Sequence, residues 1–251
     1  MIRRIRYSYI LWLLVLIPLG SIAADKDKLD EAVKAVETED FMTAYQLLKG
    51  LAEQGNAEAQ HNLAILYRQG KGVMRDPEVA AQWFQKAADQ GLASAQYYLG
   101  HLYDVGEGVE KNSQLAVQWY KKAAEQGEPM AQTNLGVAYA QGEGTKQDII
   151  LAYVWFSLAA AQGLTAALEN RNLLKQDMSE QLVQNAQRLT RDYFNRYVAP
   201  FQPQTNKLVE SGHSPGSNVH ETMDPPRPPN APAVGPHISY PHGTPSNRPQ
   251  D

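Results

Sequence analysis

One interval governs this chain. Trp83, Trp119 and Trp155 stand 36 residues apart, and the same step links Gly55, Gly91, Gly127 and Gly163, as it links Gln90, Gln126 and Gln162. Ala80, Ala116 and Ala152 keep the step, and so do Ala88, Ala124 and Ala160. A period of about 20–50 residues belongs to arrays of small units that bury their apolar faces by stacking on one another, not to a single centred core.

The unit is clearest at residues 77 to 91, PEVAAQWFQKAADQG. Ala80, Trp83, Phe84, Ala87 and Ala88 fall on one stripe of an α-helix, with Gln82, Gln85, Lys86 and Asp89 opposite. Asp76 followed by Pro77 is a helix start: a carboxylate cap, then a residue that needs no N–H. Asp40, Asn112 and Asp148 are its equivalents one step away or more. The helix closes at Gly91, where a left-handed residue is cheapest as glycine. Burial of the stripe between repeats predicts that truncating Trp119 costs roughly 3 to 5 kcal/mol.

A second kind of helix precedes each of these, in residues 57 to 73, 93 to 109 and 130 to 145. Ala59, Leu63 and Tyr67 recur as Ala95, Leu99 and Tyr103, then as Ala131, Leu135 and Tyr139. Ala64, Gly100 and Gly136 lack bulk at one register, which lets a neighbouring helix come close. A Gly-x-Gly pair follows each helix (Gly70 and Gly72, Gly106 and Gly108, Gly142 and Gly144) and reads as its end and turn. No Gly-Lys-Ser/Thr follows the pairs and no strand pattern precedes them, so the phosphate-loop reading is weaker.

The first-type pattern A-x-A-Q-x-x-L-(G/A)-x-x-Y-x-x-G-x-G-V, with A-x-x-W-(F/Y)-x-K-A-A-x-Q-G in the second helix, resembles the Sel-1-like repeat family. That family is an α/α relative of tetratricopeptide repeats, and the likeness covers about residues 40 to 176. It implies an all-α fold, a right-handed superhelix of helix hairpins used as a protein-binding scaffold, often in bacterial envelopes and signalling. The parts expected are a signal peptide at 1–23, an N-terminal capping hairpin with a degenerate repeat at 24–56, and three repeats at 57–92, 93–128 and 129–164. A partial repeat and capping helix at 165–199 and a Pro-rich, disordered tail at 200–251 complete the series.

Composition adds an address. Arg3, Arg4 and Arg6, then an uncharged apolar run from Ile10 to Leu19, then Ser21-Ile22-Ala23, give the order of a secretory signal cleaved before Ala24. The apolar run is short for a spanning helix, so cleavage is favoured over a retained anchor. The expected location is therefore the periplasm or outside the cell, with no membrane contact after cleavage. Loss of the leader takes the net charge from −4 to −7, and no basic cluster remains to favour nucleic acid. The chain has no cysteine, which removes disulfides, thiolate metal sites and thiol catalysis. Some secreted members of the resembled family staple each repeat with a cysteine pair, in a branch linked to β-lactam binding. This chain departs from that branch.

Twelve of the fifteen prolines lie in 200–251, and residues 224 to 232, DPPRPPNAP, have the composition of a polyproline II docking peptide. His213, His220, His237 and His242 are irregularly spaced there and make a poor metal site.

Comparison of the three copies separates what stacking demands from what it leaves free. The free face of the first-type helices is read as Glu58, His61, Ile65 and Arg68, then Ser94, Tyr97, His101 and Asp104, then Met130, Thr133, Val137 and Ala140. If first-type helices line the inner curve, as the resemblance implies, these side chains form a groove for a peptide or folded partner. His61 and His101, the histidines of the array, occupy different registers, and no His-Glu-x-x-His, Gly-x-Ser-x-Gly or Ser-x-x-Lys occurs there. The expectation is thus a non-enzymatic adaptor with no cofactor or metal, which binds a protein or peptide and regulates or assembles an envelope complex; its oligomeric state stays open. The rivals are a hydrolase on β-lactam or cell-wall substrates, by family analogy alone, and a structural part of a secretion, polysaccharide-export or motility apparatus.

Overall fold

The computed structural model describes residues 19–202. These form α1 (Leu19–Glu37), α2 (Phe41–Glu53), α3 (Ala57–Gln69), α4 (Pro77–Asp89), α5 (Ala93–Val105), α6 (Ser113–Ala124), α7 (Pro129–Gln141), α8 (Ile149–Ala161), α9 (Thr165–Gln176) and α10 (Glu180–Tyr197), closed by a 3₁₀ turn, Ala199–Phe201. The expected leader lies outside the described residues up to residue 18, and the Pro-rich tail from residue 203 onward. Helix α1 runs through the expected cleavage point between Ala23 and Ala24. Among the described residues, no helix is long and apolar enough to cross a membrane.

The second-type helices α2, α4, α6 and α8 start as their caps dictate. Asp40, Asp76, Asn112 and Asp148 accept from the backbone N–H of Thr43, Val79, Leu115 and Leu151 at 3.2, 3.0, 3.0 and 2.9 Å. Such a cap is worth about 1 kcal/mol per helix. Each first-type helix then packs on the second-type helix that follows it, and that helix packs on the next first-type helix. The small residues at one register are explained by this pairing. A Cβ on Gly100 would lie 2.8 Å from the Tyr120 ring, and one on Gly136 would lie 2.7 Å from the Phe156 ring.

The glycine pairs do more than turn the chain. Gly108 has φ +70°, and a Cβ there would collide with the Pro77 carbonyl at the start of α4; Gly72 and Gly144 meet Phe41 and Ser113 in the same way. Each turn is thus seated on the start of the preceding second-type helix, and its backbone is committed to stacking. A polar ladder runs beside it. Gln60, Gln96 and Gln132 donate to the carbonyls of Ala52, Ala88 and Ala124, and accept from Gln90, Gln126 and Gln162 at 2.7–2.9 Å. Gln60, Gln96 and Gln132 are themselves buried, so the ladder satisfies groups that would otherwise be costly inside the core.

At the ends the pattern changes. In α1 the buried residues are Leu29, Ala32 and Ala35, whereas Val33 is 41% exposed, because the alanines let α2 approach on a different stripe from the Leu29, Val33 and Val36 stripe that aliphatic spacing suggests. Arg171 of α9 stands in the core-leucine register and is half-buried, its guanidinium reaching only Asn172, at 3.1 Å. The main partner of α10 is α8. Its buried residues are Val183 and Ala186, with Leu182 turned out. Tyr193 and Tyr197 pack on Trp155 at ring-centroid distances of 5.4 and 5.8 Å, and Phe201 reaches Gly127 at the end of α6.

Candidate functional site

Stacking divides each first-type helix into three parts. One broad side enters the core. A flank faces the following repeat, and a narrow strip is left over. The flank includes the register of His61, Tyr97 and Thr133. His61 lies between the rings of Phe84 and Tyr98, at 5.4 and 5.3 Å, and its Nδ1 is buried without a partner. Tyr97 packs on Tyr98 and Tyr120. Thr133 donates to the Pro129 carbonyl at 2.9 Å.

Arg68, Asp104 and Ala140 belong to the same flank. Arg68 Nε donates to Glu107 of the next turn at 2.8 Å, and Arg75 pairs with the same carboxylate. Asp104 accepts from the Tyr120 hydroxyl at 3.2 Å. Three of the twelve residues read as free are therefore buried: Tyr97 at 8%, Thr133 at 7% and Ala140 at 4% exposure. The reason is geometric. Tyr97 and Asp104 turn toward Tyr120 of their own hairpin, while His61 and Arg68 reach Tyr98 and Glu107 of the next, so the side opposite the core stripe is not all solvent.

The strip that remains follows the i, i+4, i+7, i+11 line. It carries Glu58, Asn62, Ile65 and Gln69 on α3; Ser94, Tyr98, His101 and Val105 on α5; and Met130, Asn134, Val137 and Gln141 on α7. All are exposed or half-buried, and Leu173 of α9 extends the line at 41% exposure. Six of the residues expected to bind a partner lie on it: Glu58, Ile65, Ser94, His101, Met130 and Val137. Tyr98 and Val105 were not among them. The same comparison of copies could have found both, because Asn62, Tyr98 and Asn134 differ at one register while the core registers hold constant.

The electrostatics of the strip follow from burial. His61, at its margin, is held down to about 4 by desolvation and stays neutral. His101 is lowered by burial first and by Arg68 second, against smaller opposing pulls from Asp104 and Glu107. Burial raises the Tyr98 phenol and the Glu128 carboxyl, which sits at the start of α7. The middle of the strip is thus aromatic and weakly polar, with the Arg68–Glu107 pair at its edge.

The Sel1 repeat model matches residues 57–92, 93–128 and 129–164. A Sel1 repeat protein from Oxalobacter formigenes is 31% identical, with a TM-score of 0.58 over 65% of this chain and 70% of that one. The chain belongs to the Sel1 repeat family. Its fold is the solenoid of helix hairpins that the 36-residue interval requires. A protective antigen present in uropathogenic Escherichia coli strains, which displays an SLR fold, is 26% identical with a TM-score of 0.50, over 78% of this chain and 52% of that one. No curated protein matches the chain. Sel1 repeat proteins are generally non-enzymatic scaffolds that hold other proteins.

Proposed function

We propose that this Sel1 repeat protein is an exported, non-enzymatic adaptor of the periplasm or cell exterior. It holds a protein partner on the strip of α3, α5 and α7 and thereby assembles or regulates an envelope complex. The observation that carries this reading is apolar surface left partly uncovered along the strip: Val105 is 53% exposed, and Ile65, Val137 and Tyr98 are half-buried at the margins of the core with one side toward solvent. The strip crosses three rigid repeats and suits an extended peptide or one face of a helix. Export is supported by the basic, apolar and small-residue order of the first 23 residues.

The test is a double substitution of exposed strip residues, Val105→Glu with Gln141→Glu, in the full-length chain. Neither residue is fully buried. The expected result is loss of proteins that co-purify with the wild type, at an unchanged thermal midpoint. Undiminished co-purification would refute the strip as the binding face.

A further inference from the structure

The second-type helices carry an aromatic series that the stacking does not fully absorb. Trp83 of α4 and Trp119 of α6 are half-buried, and each has a lysine over its ring: Lys86 at 3.8 Å and Lys122 at 3.7 Å. The third member, Trp155, has Leu158 in place of that lysine and is only 3% exposed, because Tyr193 and Tyr197 of α10 cover it. The chain has therefore already laid its own C-terminal helix across one unit of the series. The path of α10 leads toward α6, which bears Trp119. It ends with Phe201 against Gly127, the residue that closes the helix bearing Trp119. Residues 203–251 continue from there.

The composition of those residues suits an indole ladder. Pro226, Pro229 and Pro232 recur at every third position, and Pro225 and Pro228 repeat the interval. Three residues is the turn of a polyproline II chain, so such prolines share one face at about 9 Å intervals, and six residues span about 19 Å. Helices α4 and α6 both pack on α5, and Trp83 and Trp119 both lie against the one apolar cluster of Phe84, Ala88 and Leu99, so a segment of that length is on the scale of their separation. Aromatic rings are the usual receptors for this face. Glu221 and Asp224 precede the prolines and offer carboxylates to Lys86 and Lys122, with Arg227 opposing them. An exposed lysine holds a ring weakly, so both lysines can move aside for a proline.

We propose that residues 224–232 of this same chain dock across Trp83 and Trp119, continuing over α6 and α4 the cover that α10 gives to Trp155. The site is distinct from the strip on the first-type helices, so the outcome of its test is independent of the adaptor reading.

The test compares the indole N–H signals of the full-length, 15N-labelled protein with those of a triple variant, Pro226→Ser, Pro229→Ser and Pro232→Ser. The substitutions lie outside the array, and the Trp155 signal reports that the array is intact. The expected result is that the Trp83 and Trp119 signals shift, that Trp155 does not, and that the difference survives a tenfold dilution. Unmoved signals, equal movement of all three, or a difference lost on dilution would each overturn the proposal.

Discussion

Trp119 and Trp155 occupy the same place in the repeat and have opposite surroundings. Among the described residues Trp119 is covered only in part, with Lys122 over its ring, whereas Trp155 is enclosed by Tyr193 and Tyr197. The difference is written in the helices that carry them. Helix α6, SQLAVQWYKKAA, has a charged side; α8, IILAYVWFSLAAA, has no charge at all and is buried from Ala152 to Ala159. A helix apolar all round must be covered on every side, and α10 supplies what a fourth repeat would otherwise provide. A repeat motif therefore specifies where a tryptophan points, and the neighbouring chain decides whether it is buried.

Four measurements test this contrast between the two tryptophans. Trp155→Ala carries the largest cost, about 3–5 kcal/mol by thermal or denaturant unfolding, since it empties a closed site and strips α10 of its anchor. Next comes protonation of His61, in the packed flank. Its folded-state pKa of about 4 lies below the ordinary value of 6.5, so the neutral imidazole is the stable folded form. The contribution is fully present above about pH 6.5 and is lost as pH falls toward 4, up to about 3 kcal/mol. His61→Leu should flatten the stability profile in that window, whereas His101→Leu on the open strip should change it less. Trp119→Ala should cost about 2 kcal/mol, because only part of the indole leaves water. That is below the roughly 3–5 kcal/mol that burial of the whole stripe would give. Equal losses for Trp119 and Trp155 would show that α10 adds nothing. Lys122→Ala, finally, should cost about 0.5–1 kcal/mol and leave the melting transition cooperative.

The regular part of the fold could be read from the residues themselves. The caps at Asp40, Asp76, Asn112 and Asp148, the glycine turns and the small residues at 100 and 136 each have one physical use, and each is put to it. What escaped is what depends on neighbours rather than on a helix's own periodicity. Nothing within α5 says that Tyr97 is buried beside Tyr120 while Tyr98, one residue on, stacks on Phe84 of the preceding repeat and stays half-exposed; the difference is a 100° rotation that only the stacking geometry resolves. The same holds for Val33 against Ala32 and for Leu182 against Val183, where adjacent residues exchange the buried role. The fold-back of α10 had a signal, the uncharged surface of α8, but its target could not be named without the structure.

In our reading the first-type helices hold another protein on the strip that stacking leaves free. The most direct measurement places a photoreactive residue at Val105 on that strip and, in a second full-length variant, at the exposed Gln82 on α4, each illuminated in the native envelope. A defined protein crosslinked through position 105 and absent from position 82 is the predicted result. Crosslinking through position 82 with none through position 105 would contradict it.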